Sequence, residues 1–281
     1  MSKSNIILVA GFFIFCGCSK PSDSSVPIPT MDESKTCIPE ANLMAANIVG
    51  GTRVAEGDSD SKKVMMLYSE GELCTASAIA PRVLLTAAHC VQGAVTKSFA
   101  AFHISLSCES GFDARANSIE VEEFVVHSGY DKMKEASPND IALVFLKDNI
   151  PAGYPIYKIA DSNLVSSKND LYFWGYGNIN YKKGGAGILR KTQISGTDYK
   201  VDSLNKVVQV TQSNGHGVCN GDSGGPGLVN QDGELQILGV NSYVKGRADS
   251  LCNGEAFLTL ADSFKSWISA VLKTKNEKLR N

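Results

Sequence analysis

The 281-residue sequence has no apolar run long enough to cross a bilayer as a helix. The longest, residues 6–15, is far short of the roughly 20 residues that a span requires. It also lacks an excess of either charge. Lys and Arg number 27 against 29 Asp and Glu, a net −2, which gives no argument for nucleic acid or an anionic membrane surface as partner. No phosphate-binding glycine loop, internal repeat or metal-ligand spacing occurs, so neither a cofactor nor a metal is expected. The stretch 109–113, with Glu109 and Asp113, has no convincing calcium-ligand spacing. Histidine is scarce, at four residues. His103 and His127 lie in strand-like runs and His216 carries no motif, which leaves His89. What is present is ordinary for a globular chain: 43% hydrophobic and 20% charged residues, enough for one or two domains.

The short apolar run follows a head with one charge, Lys3, and suits the core of a signal peptide better than an anchor. Next comes Phe15-Cys16-Gly17-Cys18-Ser19, which resembles a bacterial lipoprotein signal box with Cys18 as the acylated residue. Gly17 fits that box, whereas Phe15 stands in place of the usual aliphatic residue. The other reading is an ordinary signal peptide cut nearby, although no small-x-small site is evident. The resemblance implies a signal peptide over 1–17 and an exported chain, lipid-anchored to a bacterial cell envelope or secreted. Membrane attachment would then be through lipid alone. Residues 20–33 hold Pro21, Pro27 and Pro29 among serines and read as an extended tether, part of a tether and propeptide over 18–47.

The remainder, 48–281, reads as one unit rich in strands. Residues 64–80 and Val83–Thr86 are apolar and β-branched around a Pro81-Arg82 turn. Residues 118–127 alternate Ile119, Val121, Glu123 and Val125 with Glu120, Glu122, Phe124 and Val126, the pattern of a partly buried strand. Residues 141–146 are continuously apolar and read as a core strand; 171–177, 207–210 and 235–244 add others. Over 261–273, Phe264, Trp267, Ile268, Val271 and Leu272 recur at helical spacing, which predicts an amphipathic C-terminal helix with core aromatics.

The most informative stretch is Cys219-Asn220-Gly221-Asp222-Ser223-Gly224-Gly225-Pro226. A serine between an acid and two glycines suits a tight turn that exposes a hydroxyl and gathers backbone N–H groups. Acyl transfer needs those parts, a nucleophilic oxygen and donors for an oxyanion. Serine attacks nothing at neutral pH without a base and an orienting carboxylate. Upstream lie Thr86-Ala87-Ala88-His89-Cys90 and Asp140-Ile141-Ala142-Leu143. Each motif alone would pass for an ordinary turn, a short helical turn or a strand start.

Together, in the order His, Asp, Ser, they resemble the trypsin/chymotrypsin-like serine proteases, and the order separates that family from other folds with the same triad. The resemblance implies an all-β fold of two packed six-stranded antiparallel barrels, and the C-terminal helix is expected to pack on the second. It also implies an endopeptidase acting on proteins or peptides, and a monomer is expected. Ser223 would be the nucleophile, His89 the general base and Asp140 its orienter, with Gly221 and Ser223 N–H groups as the oxyanion hole. A catalytically silent relative that binds protein partners is the alternative of a different class.

The same resemblance reads Ile48-Val49-Gly50-Gly51 as the start of a mature protease. Cutting Asn47-Ile48 would free an amine on Ile48 to pair with Asp222. Asn47 stands where many relatives carry Lys or Arg, so the activating protease is unknown and not trypsin-like. Cys74–Cys90 and Cys219–Cys252 match family disulfides. Cys37 and Cys108 are left over in an even set of six and are expected to pair with each other.

For substrate choice, Gly217 occupies the position where trypsin-like relatives carry a base-selecting carboxylate, so cleavage after Lys or Arg is disfavoured. Ser242-Tyr243-Val244 resembles the strand that pairs with substrate backbone, and with Gly217 and Val218 it is similar to neutrophil-elastase-type relatives. Val244 would narrow the pocket, and counting back from Trp267 places Ala256 on its wall. Small or medium aliphatic residues are expected at the cleavage position. Glu255, if it reached inside, would restore a preference for basic residues.

Overall fold

A computed structural model describes residues 50–69, 71–94, 98–105, 117–134, 136–178, 186–212, 214–247 and 250–280. Ile48, Cys18, Cys37, Cys108 and the signal and tether segments lie outside these residues.

The chain opens with β1 (Thr52–Arg53) and then builds β2 (Met65–Ser69), β3 (Glu72–Ala80), β4 (Val83–Thr86), β5 (Phe99–Ala101), β6 (Ser118–Val126) and β7 (Ala142–Leu146). Strands β2 to β7 close an antiparallel barrel in the order β2-β3-β4-β7-β6-β5. The run read as 64–80 is two strands, because Gly71 at φ +89° turns the chain and pairs Ser69 with Glu72. Strands β4 and β7 are buried at every residue, as continuous apolar runs require. The alternation along β6 slips at a register shift between Val121 and Glu123, after which Phe124, Val125 and Val126 are all partly buried.

A second sheet follows from β8 (Leu171–Gly175), β9 (Arg190–Ile194), β10 (Tyr199–Asp202), β11 (Val207–Thr211), β12 (Pro226–Gln231), β13 (Glu234–Lys245) and β14 (Glu255–Leu260). Its order is β1-β9-β8-β12-β13-β14-β11-β10, eight strands forming a half-barrel rather than a second closed six-stranded barrel. Two-residue β1 extends one edge through β9, and β10 extends the other as a hairpin with β11. The edges therefore end in short strands instead of meeting.

The chain ends in a 3₁₀ turn over Ala261–Phe264 and helix α1 (Lys265–Thr274). Ile268 and Leu272 are the buried residues of the helix, in line with Phe264, four positions before Ile268 in the turn. The aromatic contacts of this segment are with the first barrel, whereas the expectation from the sequence sets the helix on the second. Phe264 and Trp267 both meet the ring of His127 edge-on at 5.0 Å, and Lys275 lies over Phe145 and bonds Glu123. His127, just after β6, is thus a partly buried packing residue. One continuous apolar cluster runs from the first barrel through Trp174, Tyr176 and Val240 to this helix, and a second fills the half-barrel around Phe173, Val210 and Leu258.

Candidate active site between the two sheets

His89 sits in a one-turn 3₁₀ segment, Ala88–Cys90, directly after β4, and Asp140 lies just before β7. These strands are paired, with Thr86 opposite Ala142, so the two side chains meet at one end of the barrel. His89 Nδ1 lies 2.7 Å from Asp140 Oδ2, and the His89 backbone N–H donates to Asp140 Oδ1 at 2.9 Å. Ser242, on β13 of the other sheet, donates its hydroxyl to the same Oδ2 at 2.5 Å. Burial, with Asp140 only 4% exposed, disfavours the carboxylate. The bonds from His89 and Ser242 outweigh it and hold Asp140 below the usual range.

Ser223 occupies the turn before β12 and is half-buried. It lines the same cleft as His89, a cavity of about 350 Å³ whose walls include Val218, Cys219, Asn220, Gly221, Ser242, Tyr243, Val244 and Leu251. The two side chains make no hydrogen bond to each other; His89 Nε2 is 3.7 Å from Cys90 Sγ. Such a contact often tightens only around bound substrate. Among the described residues, the N–H groups of Gly221 and Ser223 donate to no protein acceptor.

Several residues that sequence reasoning passed over fix this turn. Thr75 of β3 donates its N–H to Ser223 O at 2.8 Å and its hydroxyl to Gly221 O at 3.0 Å, tying the first barrel to the serine turn. Asn241 of β13 donates to Asp222 O at 3.0 Å and accepts from Gly224 N–H at 2.8 Å. Gly224 itself has φ +77°, and a Cβ there would lie 2.0 Å from Thr86 Oγ1 and 2.6 Å from Thr75 O. A lone Thr in a strand carries no signal of such a role.

Asp222 points away from the cleft and is 1% exposed. Its carboxylate accepts from Gly177 N–H at 2.7 Å and Cys219 N–H at 2.9 Å. Burial pushes its pKa up to about 7, against the pull of those two N–H groups and of the buried Arg190 charge.

Disulfides join Cys74 to Cys90, beside His89, and Cys219 to Cys252, on the cleft wall. Ser242, Tyr243 and Val244 line the cleft, with Tyr243 stacked on Phe257 at 4.5 Å. Gly217 and Ala256 do not line it. Ala256 is fully buried in β14, and Gly217 backs onto the side chain of Gln212. Glu255 also stays out, engaged by Gln209 across the strand pair β11–β14. Cys74, His89 and Cys90 are the described His/Cys/Asp/Glu group close enough to hold a metal, but both sulfurs are committed to the disulfide. No described helix is long and apolar enough to cross a membrane.

Comparison with known proteins agrees with this geometry. The family model described as Trypsin matches residues 48–268. Chymotrypsin-like elastase family member 1 of Felis catus is 26% identical over 249 residues, covering 83% of this chain and 91% of its own. Serine protease SP24D of Anopheles gambiae is 27% identical over 240 residues, covering 82% and 83%. Neutrophil elastase of Mus musculus is 24% identical over 241 residues, covering 84% and 86%. With its match spanning most of the sequence, a closed barrel set against a half-barrel, and His, Asp and Ser motifs meeting at the cleft between them, the chain belongs to the trypsin family of serine proteases.

Proposed function

We propose that this chain is an exported serine endopeptidase, made as a zymogen, that cleaves proteins or peptides after small or medium aliphatic residues. The observation that carries the reading is the double hold of Asp140 on His89 at the edge of a cleft shared with Ser223. Ser223 attacks the scissile carbonyl while His89 Nε2 takes its proton and later passes it to the leaving amine. Asp140 keeps Nδ1–H pointed inward and stabilises the imidazolium. The uncommitted N–H groups of Gly221 and Ser223 suit a developing oxyanion.

Asp222 supports the zymogen reading. A carboxyl so buried that its pKa rises to about 7 gains from a cationic partner, and the amine freed by cutting Asn47-Ile48 would be one. The apolar wall of Val218, Val244 and Leu251 supports the aliphatic preference. Export, and anchoring through Cys18, rest on the signal-like N-terminus; a bridge between Cys37 and Cys108 would keep the cut protease attached to that lipid.

The test uses the full-length chain with a cleavage sequence for a protease of unrelated specificity placed just before Ile48. After cutting, a serine-directed phosphonate should label the wild type and not Ser223→Ala, and peptide libraries should be cut after Ala or Val. A folded, correctly cut chain that neither labels nor cleaves would instead be a silent binding relative.

A further inference from the structure

We infer that Gln212, a residue outside the cleft, sets the depth and neutrality of the specificity pocket; this rests on the endopeptidase reading. Gln212 follows β11 and is fully buried. Its side chain runs behind the cleft wall and bonds both segments that form it. Nε2 donates to Val218 O at 3.1 Å and to Cys252 O at 2.9 Å, and Oε1 accepts from Val218 N–H at 2.6 Å. Both amide hydrogens and the oxygen are therefore engaged, and none is left for a substrate charge.

Its position relative to Gly217 is the decisive feature. A Cβ built on Gly217 would lie 2.1 Å from Gln212 Oε1, 2.2 Å from Cδ and 2.6 Å from Cγ. Gln212 thus occupies the volume that any side chain at 217 would need, including a carboxylate able to select Lys or Arg. The space behind Gly217 is filled by a neutral amide. On the cleft side of that wall, an entering side chain meets Val218, Val244 and Leu251. A short aliphatic group suits that chamber, whose wall at Val218 is held in place by the three buried bonds of Gln212.

A merely structural glutamine would stabilise the wall without altering what fits inside it, so the informative readout is the cleavage profile. In the full-length chain cut before Ile48, Gln212→Ala removes the amide behind Gly217. The expected result is phosphonate labelling at Ser223 together with a rise of about 10-fold or more in the kcat/KM ratio for Leu or Met over Ala, the range one or two methylenes command. Gly217→Ala alone should lose activity, and Gln212→Ala should restore it in the double variant. Where Gln212→Ala gives no folded protein, Gln212→Asn, shorter by one methylene, carries the same test. A labelled variant with an unchanged profile overturns the proposal, as does failure of both variants to fold, which would make Gln212 a folding residue only. A wild type that does not label overturns the endopeptidase reading instead.

Discussion

Asp140 holds His89 at two points, the ring nitrogen Nδ1 at 2.7 Å and the backbone N–H at 2.9 Å, one carboxylate oxygen for each. The pair fixes ring orientation and tautomer at once, leaving Nε2 directed away from the acid. Asn at 140 would keep the shape but offer one acceptor oxygen and an NH₂, which favours the tautomer with its proton on Nε2. Asp140→Asn should therefore fold normally and lose about 10⁴-fold in kcat. Steady-state kinetics on a peptide cut after Ala provide the check, and a loss below tenfold would remove Asp140 from the mechanism.

Ser242 contributes from the opposite sheet. Its 2.5 Å bond to Asp140 favours the ionised acid, which the folded protein holds below the ordinary carboxylate range. A depressed acid adds stability that is present above the unfolded pKa and lost as pH falls through the folded one. In a Ser223→Ala background, Ser242→Ala should cost about 1.5–3 kcal/mol at pH 7. That difference should shrink at an acidic pH below the folded pKa, where the acid is protonated in both proteins. Urea unfolding at the two pH values decides it; an equal difference at both would assign Ser242 a role unrelated to the charge.

The sequence made the three reacting residues legible because each sits in a local motif whose turn or strand start is fixed by its neighbours. It was less informative wherever the effect came from across the sheets. Thr75 anchors Ser223 and Gly221 from 146 or more positions away, and nothing in the alternation of β3 marks it. The pocket shows the same limit. Family position sets Gly217, and a count back from Trp267 sets Ala256, at the pocket, yet Ala256 is buried within β14 and Gln212 packs behind Gly217. Helix α1 was evident from its spacing, but the pattern gives only an apolar face, not the barrel that receives it.

Asp222 should make the uncut chain sensitive to pH. Burial raises its folded pKa to about 7, above the ordinary aspartate value, so between the two the folded state binds more protons than the unfolded. Stability is then fully present below the unfolded value and falls as pH rises towards 7. Cutting before Ile48 supplies an amine of ordinary pKa about 7.7–8, which keeps Asp222 ionised and paired. Unfolding of Ser223→Ala protein from pH 4 to 7 should show the decline before cutting and little of it afterwards. Identical slopes would sink the ion pair between Ile48 and Asp222.

The bridge from Cys219 to Cys252 closes a 33-residue separation and joins two parts of the cleft wall. Replacing both cysteines with Ala should lower stability by about 3–4 kcal/mol on the chain-entropy account. Substrate binding should suffer more than the reacting residues, so KM should rise while phosphonate labelling persists. A pure loss of kcat at constant KM would contradict that division.

Gly224 offers the sharpest test of how the serine turn is built. Its φ of +77° is one that a side chain rarely adopts, and the space beside it is taken by Thr86 Oγ1 and by the Thr75 carbonyl, itself the acceptor of the Thr86 hydroxyl at 3.1 Å. Gly224→Ala must displace backbone of the first barrel or drag Ser223 with the turn. Moving the serine by about 1 Å is enough to cost roughly 100-fold in rate. The expected outcome is a folded protein whose labelling by the phosphonate is slower by at least that factor. Trimming Thr86 to Ala should not restore it, because the clash with Thr75 O remains. Full rescue by Thr86→Ala would show that a movable hydroxyl, and not the barrel backbone, sets the position of Ser223.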